Sequence, residues 1–192
     1  MLSLKDTLIG FNELPKTKGN QNSKSFQSLF DFTSKLSPSK ILEVGFNAGD
    51  SACCFLNASP KASMITFDVC KNGHEYTALT VLQKYFDIEL IEGDSKLTLP
   101  NWLRLNKDIY FDLIYIDGGH DYDTALSDIN NLVEFVRPGG YILVDDINIF
   151  PSVRQAIDDS NLGNFKLSEL VNSNGRILVA EYIEHAYIKK LI

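Results

Sequence analysis

The chain has 192 residues, enough for one domain with a full hydrophobic core and too few for two domains of ordinary size. Hydrophobic residues make up 44% of it and charged residues 22%, proportions typical of a globular protein rather than a disordered or fibrous one. The net charge of -7 argues against a nucleic-acid partner, which requires clustered Lys and Arg, so we expect a small-molecule substrate.

Cysteine usage and the first residues predict the compartment. Cys53, Cys54 and Cys70 form an odd set without metal-ligand spacing, which favours a reducing environment, and we expect a cytoplasmic protein. The start of the chain lacks the basic region and the long apolar core of a secretion signal. No apolar run approaches the length of a membrane span, so we expect no membrane partner, and we leave a homodimer open.

Residues 1–39 differ from the rest of the chain. Two amphipathic stretches, Leu2 to Leu14 and Ser25 to Leu36, predict two helices joined by a mobile loop over Pro15 to Ser23. We expect this segment to form a helical cap and a lid over the substrate site, and residues 40–192 to form the core.

From Lys40 onward, short apolar runs alternate with helical stretches, which is typical of a parallel sheet buried on both faces. Five strands are predicted, in the runs KILEVG, SMITFDV, IELIEGD, FDLIYIDG and YILVDD. The helices between them are predicted at Ser51 to Leu56, His74 to Phe86, Leu99 to Leu105 and Tyr122 to Val136. This order predicts a doubly wound α/β fold, because parallel neighbours need crossover helices.

The end of the chain breaks this rhythm. The runs FKLSELV and RILVAEYI are separated only by Asn172 to Gly175, and the Asn-Gly pair there favours a tight turn. We therefore predict a C-terminal antiparallel hairpin that closes the parallel sheet.

A carboxylate or a glycine ends each of the five parallel strands. Ligands of an open parallel sheet bind beyond the carboxyl ends of the strands, so we expect these residues to surround one pocket. They are Glu43, Gly45, Asp68, Gly93, Asp94, Asp117, Asp145 and Asp146. Such an acidic rim is a favourable place for a cationic ligand.

The turn after the first strand reads EVGFNAGDSA. Gly45 and Gly49 allow close backbone approach, and Asn47 is the residue type that next best tolerates a positive φ. Backbone amides after Gly49, together with Ser51, can hold a carboxylate or a phosphate, and Asp68 suits the hydroxyls of a ribose. An ordinary tight strand-to-helix turn is the alternative interpretation of the first motif when it is taken alone.

In order and spacing these motifs resemble the class I S-adenosylmethionine-dependent methyltransferases. The matching parts are Glu43 to Gly49, Asp68, the EGDS of Glu92 to Ser95, FDLIYIDG, the RPGGYILVDD of Arg137 to Asp146, and the closing hairpin. The resemblance runs from about Lys40 to Glu181 and implies a mostly parallel, seven-stranded Rossmann-like sheet. Asn47 departs from the family, which often has glycine there. A nicotinamide dehydrogenase is the competing interpretation, but it needs a tighter G-x-G-x-x-G turn and does not explain the hairpin.

The resemblance also implies which residues bind S-adenosylmethionine. The first turn would line its methionine part, Ser51 would bind the carboxylate, Asp68 the ribose, and Asp94 with Ser95 the adenine. The full implied set is Glu43, Gly45, Phe46, Asn47, Gly49, Ser51, Asp68, Val69, Gly93, Asp94, Ser95 and Asp117.

Within this superfamily the chain most resembles the catechol O-methyltransferase-like enzymes and the macrocin-type sugar O-methyltransferases, which bind magnesium. The resemblance implies metal ligands at Asp117, Asp145 and Asp146, and carboxylate oxygens suit Mg2+. The plainer interpretation of the Asp-Asp pair is one helix or turn cap and one solvated side chain.

His120 follows Asp117 by three residues, where catechol O-methyltransferases carry a basic lysine. We expect His120 to be the catalytic base that takes a hydroxyl proton, which a nearby cation makes easier to remove. The alternative is that it packs against the cofactor or caps the next helix. His74 and His185 lie outside the strand-end cluster, and we expect them at the surface.

These features predict O-methylation of a small hydroxylated substrate, catechol-, sugar- or polyol-like, with Mg2+ assisting. Substrate choice should come from residues 1–39 and from Ile147 to Ile157, where Phe150 and Pro151 can form an apolar wall and Arg154 can meet an anionic group. The alternative for the second segment is an ordinary packing helix with Val153, Ala156 and Ile157 on its buried face. Two alternatives stay open: a metal-independent N-methyltransferase, and a subunit that binds S-adenosylmethionine without activity.

Overall fold

The computed structural model describes residues 4–17, 23–163, 165–172 and 175–182. Single 3-10 turns occupy Phe11–Glu13 and Val133–Phe135. The helices and strands are α1 Leu4–Thr7, α2 Ser23–Leu36, β1 Lys40–Val44, α3 Asp50–Ala58, β2 Ser63–Asp68, α4 His74–Leu82, β3 Asp87–Glu92, α5 Ser95–Leu105, β4 Phe111–Ile116, α6 Tyr122–Leu132, β5 Val136–Val144, α7 Pro151–Asp158, β6 Phe165–Asn172 and β7 Gly175–Tyr182.

The strands form one sheet in the order β3-β2-β1-β4-β5-β7-β6. The five strands from β3 to β5 are parallel; Ile41 of β1, for example, lies beside Met64 of β2 on one side and Leu113 of β4 on the other. This confirms the predicted α/β fold with its central parallel sheet. β7 is antiparallel to both β5 and β6. The strand order reverses between β1 and β4, and a crevice at that point is where such sheets bind ligands.

Helices cover both faces of the sheet, which explains why every residue of the central strand β4 is buried. Ile41 and Leu113 belong to the hydrophobic cluster that contains α2, α3 and α4. Leu42 and Ile114, their neighbours in sequence, belong to the cluster of α5, α6 and α7, because successive strand residues point to opposite faces. Among the described residues, no helix combines the length and the apolar character needed to cross a membrane.

The N-terminal helix is shorter than predicted. The predicted helix Leu2 to Leu14 stops at Thr7, because Gly10 has φ 80°, a left-handed conformation that a right-handed helix does not contain. The predicted loop Pro15 to Ser23 falls largely on residues 18–22, which lie outside the described residues, as does His185.

The fifth strand begins earlier than predicted, whereas the buried face of the helix after it is the one that the sequence predicts. Val136, the predicted end of the preceding helix, instead starts β5 and pairs with Phe111 of β4. The expected packing face of α7 is confirmed, since Val153, Ala156 and Ile157 are all buried.

Asp112 fixes the position of β1 beside β4. Its Oδ2 accepts hydrogen bonds from the amide of Ser39 at 2.5 Å, the hydroxyl of Ser39 at 2.6 Å and the amide of Lys40 at 2.9 Å. Its Oδ1 pairs with the guanidinium of Arg137. The carboxylate therefore joins the amino ends of β1 and β4.

Asp112→Ala is expected to lower the free energy of unfolding by about 2–4 kcal/mol, because it leaves several donors without their acceptor. Arg137→Met, which removes a half-exposed partner (47% exposed side chain), should cost less than about 1 kcal/mol. Urea unfolding of both variants measures the difference. Equal losses would mean that the ion pair, and not the bonds to Ser39 and Lys40, carries the effect.

Candidate active site

A cavity of about 430 Å³ opens at the carboxyl ends of β1, β2, β3 and β4. This volume lies within the range of small-molecule sites. Eight of the twelve residues expected to bind a cofactor lie in its wall: Gly45, Asn47, Asp68, Val69, Gly93, Asp94, Ser95 and Asp117. The structure brings these together, and it places the other four behind the wall: Glu43, Phe46, Gly49 and Ser51.

The turn after β1 requires close approach of two backbone segments. Gly45 has φ 96°, and a Cβ there would lie 2.1 Å from the carbonyl oxygen of Asp117. Asn47 has φ 48°, in the left-handed region that asparagine tolerates better than most residues. Glycine is therefore required at position 45, whereas asparagine serves at position 47.

Asp68 holds this turn in place. Its Oδ2 accepts hydrogen bonds from the backbone amides of Phe46 at 2.8 Å and Asn47 at 2.9 Å, and its Oδ1 accepts one from the amide of Cys70 at 2.8 Å. A carboxylate has about four acceptor sites, so a ligand hydroxyl can still bind. Sequence reasoning missed this structural task, and the ribose contact of Asp68 stays a prediction.

Glu43 lies beneath the turn and not on an open rim. It is fully buried, and its carboxyl oxygens accept hydrogen bonds from the hydroxyls of Ser51 at 2.5 Å and Thr66 at 3.0 Å. Burial raises the pKa of Glu43 to about 8, although these two bonds act in the opposite direction. The side chain thus ties α3 and β2 to β1, and direct cofactor contacts of Glu43 and Ser51 stay predictions.

The sequence did not predict that two further residues lie near the cavity. His74 is partly exposed, as expected, and its Nε2 lies 2.6 Å from Oδ1 of Asn47 in the first turn. Asp128 of α6 is fully buried near Ser95, and burial raises its pKa to about 7. A lone acid on an otherwise apolar helix face was the available signal for Asp128.

Asp117, His120 and Asp146 form a cluster at the ends of β4 and β5, with ligand atoms within 4.8 Å of one another. Nε2 of His120 lies 3.1 Å from Oδ2 of Asp146 and 4.0 Å from Oδ1 of Asp117. The imidazole stacks on Phe150, with ring centroids 4.0 Å apart and planes 8° apart. The hydroxyl of Ser152 donates to the carbonyl oxygen of His120 at 2.6 Å, so the start of α7 fixes the loop that carries the histidine.

Burial and neighbouring charges together shift the pKa values of this cluster. Burial raises the pKa of Asp117, and the neighbouring Asp145 and Asp146 raise it further. The carboxylates of Asp117 and Asp146 raise the pKa of His120 to about 9. A positive charge at this point, whether a proton or a metal ion, offsets the repulsion among the carboxylates.

Asp145 is engaged differently from its neighbours. Its Oδ2 accepts a hydrogen bond of 2.5 Å from the hydroxyl of Tyr115, and its Oδ1 accepts one of 2.8 Å from the amide of Asp146. Tyr115 is fully buried in β4, and its hydroxyl also lies 3.4 Å from Oδ2 of Asp117. The expected metal set of Asp117, Asp145 and Asp146 therefore shares two members with the cluster and stays a prediction. Tyr115 was missed because a tyrosine in an apolar strand resembles a core residue.

Residues 42–147, more than half of the chain, match a family model described as a methyltransferase domain. The chain belongs to this methyltransferase family. The matched range runs from β1 to just beyond β5 and so includes the cavity and the strand-end cluster. Membership confirms the resemblance drawn from the sequence and the expected enzyme class.

Solved structures share the fold of this methyltransferase at low identity. An O-methyltransferase from Bacillus cereus, in complex with SAH (S-adenosylhomocysteine), is 17% identical with a TM-score of 0.71, and the match covers 86% of this chain and 84% of that one. A Klebsiella pneumoniae protein whose assignment as an O-methyltransferase is provisional is 20% identical with a TM-score of 0.71, and the match covers 95% of this chain and 91% of that one. CalS11, a TDP-rhamnose 3'-O-methyltransferase of calicheamicin biosynthesis, is 18% identical with a TM-score of 0.66, covering 81% and 78%.

A curated viral protein matches over a shorter stretch. Over 75 residues the methyltransferase is 31% identical to an uncharacterized protein of Acanthamoeba polyphaga mimivirus. The match covers 35% of this chain and 30% of that protein, so the chain spans less than a third of this relative's length.

Proposed function

We propose that this methyltransferase transfers the methyl group of S-adenosylmethionine to a hydroxyl oxygen of a small catechol-, sugar- or polyol-like substrate, assisted by a divalent cation. The observation that carries the proposal is the position of Asp117. It lies in the wall of the 430 Å³ cavity and also belongs to the cluster with His120 and Asp146. A cofactor in the cavity and a hydroxyl at the cluster would therefore be neighbours.

The cavity wall supports S-adenosylmethionine as the cofactor. When bound, this cofactor supplies a methyl group on a positively charged sulfur. Asp68, Asp94 and Asp117 line the wall, and an acidic wall favours a cationic ligand. The SAH complex of the Bacillus cereus O-methyltransferase, which has the same fold, supports the same choice.

The cluster has donors that fit a divalent cation. Asp117 and Asp146 offer carboxylate oxygens, and Nε2 of His120 is buried beside them without a well-formed hydrogen bond. A cation held there would lower the pKa of a substrate hydroxyl, which must lose its proton on methylation. The proposal holds whether His120 accepts that proton or coordinates the cation.

The start of α7 supports a ring-shaped substrate. Phe150 stacks on His120, and the adjacent Ile149 is 52% exposed. These two side chains give the cluster an apolar neighbour on which a catechol or sugar ring can pack. In the same proposal, residues 1–39 form a lid over the apolar surface of Phe150 and Ile149.

The proposal predicts metal-dependent methylation of oxygen. The protein is incubated with labelled S-adenosylmethionine and a panel of catechols, sugars, polyols and amines, and products are identified by mass spectrometry. Product formation should fall at least about tenfold in EDTA and return on adding Mg2+ or Mn2+. Asp146→Asn should cause a similar loss, whereas Asp159→Asn, which removes a carboxylate at the end of α7, should not.

Three results would contradict parts of this proposal. Undiminished turnover in EDTA removes the metal. A methyl group found on nitrogen makes the enzyme an N-methyltransferase. Binding of S-adenosylmethionine with no transfer to any acceptor favours the inactive subunit.

A further inference from the structure

We infer that His120 is a ligand of the divalent cation through Nε2, together with Asp117 and Asp146, and that Asp145 supports this set without joining it. The inference rests on the proposed function in that it uses the same cation. It departs from the sequence prediction, in which His120 is the base and Asp145 a ligand. It also predicts that the enzyme prefers Mn2+ and Co2+ to Mg2+.

The distances in the cluster fit one ion. Ligands about 2.1 Å from a tetrahedral or octahedral metal lie roughly 3 to 4.2 Å from one another. Nε2 of His120 lies 3.1 Å from Oδ2 of Asp146 and 4.0 Å from Oδ1 of Asp117, and all three ligand atoms fall within 4.8 Å. Small side-chain adjustments therefore suffice to bring the three donors around one cation.

The environment of Nε2 suits a ligand better than a base. The atom is buried, and its 3.1 Å approach to Oδ2 of Asp146 lacks hydrogen-bond geometry, which is the situation of a polar atom that binds a water or an ion. The stack on Phe150 and the bond from Ser152 hold the ring against the carboxylates. Nε2 is the ring atom that faces the two carboxylates, which places it for a cation shared with them.

Each oxygen of Asp145 already accepts a hydrogen bond. Tyr115 donates to one and the amide of Asp146 to the other, and Tyr115 cannot easily move because it is fully buried against Phe55. Coordination by Asp145 would compete with the short bond from the phenol. Its negative charge still acts on the ion from beside the ligand set, as supporting residues of metal sites do.

The resulting donor set contains one imidazole nitrogen and carboxylate oxygens. Mg2+ prefers oxygen ligands only, whereas imidazole suits later metals, whose affinities for such sites rise from Mn2+ through Co2+. We therefore expect the enzyme to bind Mn2+ and Co2+ at least about tenfold more tightly than Mg2+.

The test measures metal binding and does not depend on turnover. The metal-free full chain is titrated with Mn2+, Co2+ and Mg2+ by calorimetry, and its Mn2+ complex is examined by pulsed electron paramagnetic resonance with 14N- and 15N-histidine labelling. Wild type should show the coupling of a directly bound imidazole nitrogen. The coupling should persist in His74→Ala and disappear in His120→Ala, since His74 lies by the first turn and not in the cluster.

The variants separate the two ligand sets. His120→Ala and Asp146→Asn, which each remove a ligand, should weaken Mn2+ binding more than Asp145→Asn, which removes a supporting charge and should cost about tenfold. A wild-type Mn2+ complex without nitrogen coupling, or a loss confined to Asp145→Asn, would overturn the inference and favour three carboxylates. Because the wild-type spectrum needs no substitution, misfolding of a variant cannot hide this result.

The inference and the proposed function fail in different ways. Nitrogen-free Mn2+ binding with metal-dependent O-methylation overturns only the assignment of His120. A wild type that binds no cation overturns the inference, and if it also methylates hydroxyls in EDTA, it removes the metal from the proposed function while leaving the methyl transfer.

Discussion

Gly45→Ala is expected to lower the free energy of unfolding by at least about 4 kcal/mol and to abolish SAH binding. An added Cβ would lie 2.1 Å from the carbonyl oxygen of Asp117 and 2.6 Å from its carbonyl carbon, far inside van der Waals contact. The contacted atoms are backbone, so no side-chain rotation relieves the overlap. Either β1 or β4 must shift, and both carry walls of the cavity.

Gly139→Ala is the matched control for this substitution. Gly139 has φ 76°, also in the left-handed region, but nothing lies within 4 Å of the position of its Cβ. It should therefore cost only the conformational penalty, about 1–2 kcal/mol, and leave SAH binding unchanged. Urea unfolding and calorimetric SAH titration measure both quantities. Similar losses for the two variants would show that backbone strain, and not the contact with Asp117, makes glycine necessary at position 45.

The parallel strands could be predicted from the sequence because each strand is marked by its own residues and by the residue that ends it. Runs such as KILEVG and FDLIYIDG are mostly apolar and do not alternate with polar residues, which is typical of a strand covered on both faces, and each ends in a glycine. The convergence of Gly45, Asp68 and Asp117 on one cavity follows from parallel strands ending at the same edge. Element boundaries were less predictable where a single conformation decides them, as at Gly10.

The roles of the acids within the site could not be predicted in the same way. Glu43 and Asp145 both occur at strand ends, yet Glu43 is enclosed by Ser51 and Thr66, and Asp145 is bound by Tyr115. These partners come from other strands or from the next helix, and no spacing in the sequence records which hydroxyl reaches which carboxylate. Side-chain packing decides such matters, so the same residue pattern is compatible with several ligand sets.

Glu43→Gln is expected to stabilise the protein in a pH-dependent way. Burial raises the pKa of Glu43 from 4.5 to about 8, so the folded state holds a proton that the unfolded state releases. Below pH 4.5 both states are protonated, and the variant and wild type should have similar stability. Between pH 4.5 and 8 the unfolded wild type ionises, and wild type loses stability that the neutral glutamine keeps.

The difference should reach its full size above about pH 8, on the order of 3–5 kcal/mol at about 1.4 kcal/mol for each unit of pKa shift. Glutamine has nearly the volume of glutamate, and the hydroxyls of Ser51 and Thr66 can each donate or accept, so the buried bonds are retained. Unfolding in urea at pH 5, 6, 7, 8 and 9 measures the slope, with Glu89→Gln as the control that removes the same charge from an exposed position on β3. A Glu43→Gln curve parallel to wild type would mean that Glu43 is ionised in the folded protein, with the charge held by its two hydroxyl donors. In that case the carboxylate beneath the first turn would add to the negative field that a cationic cofactor meets.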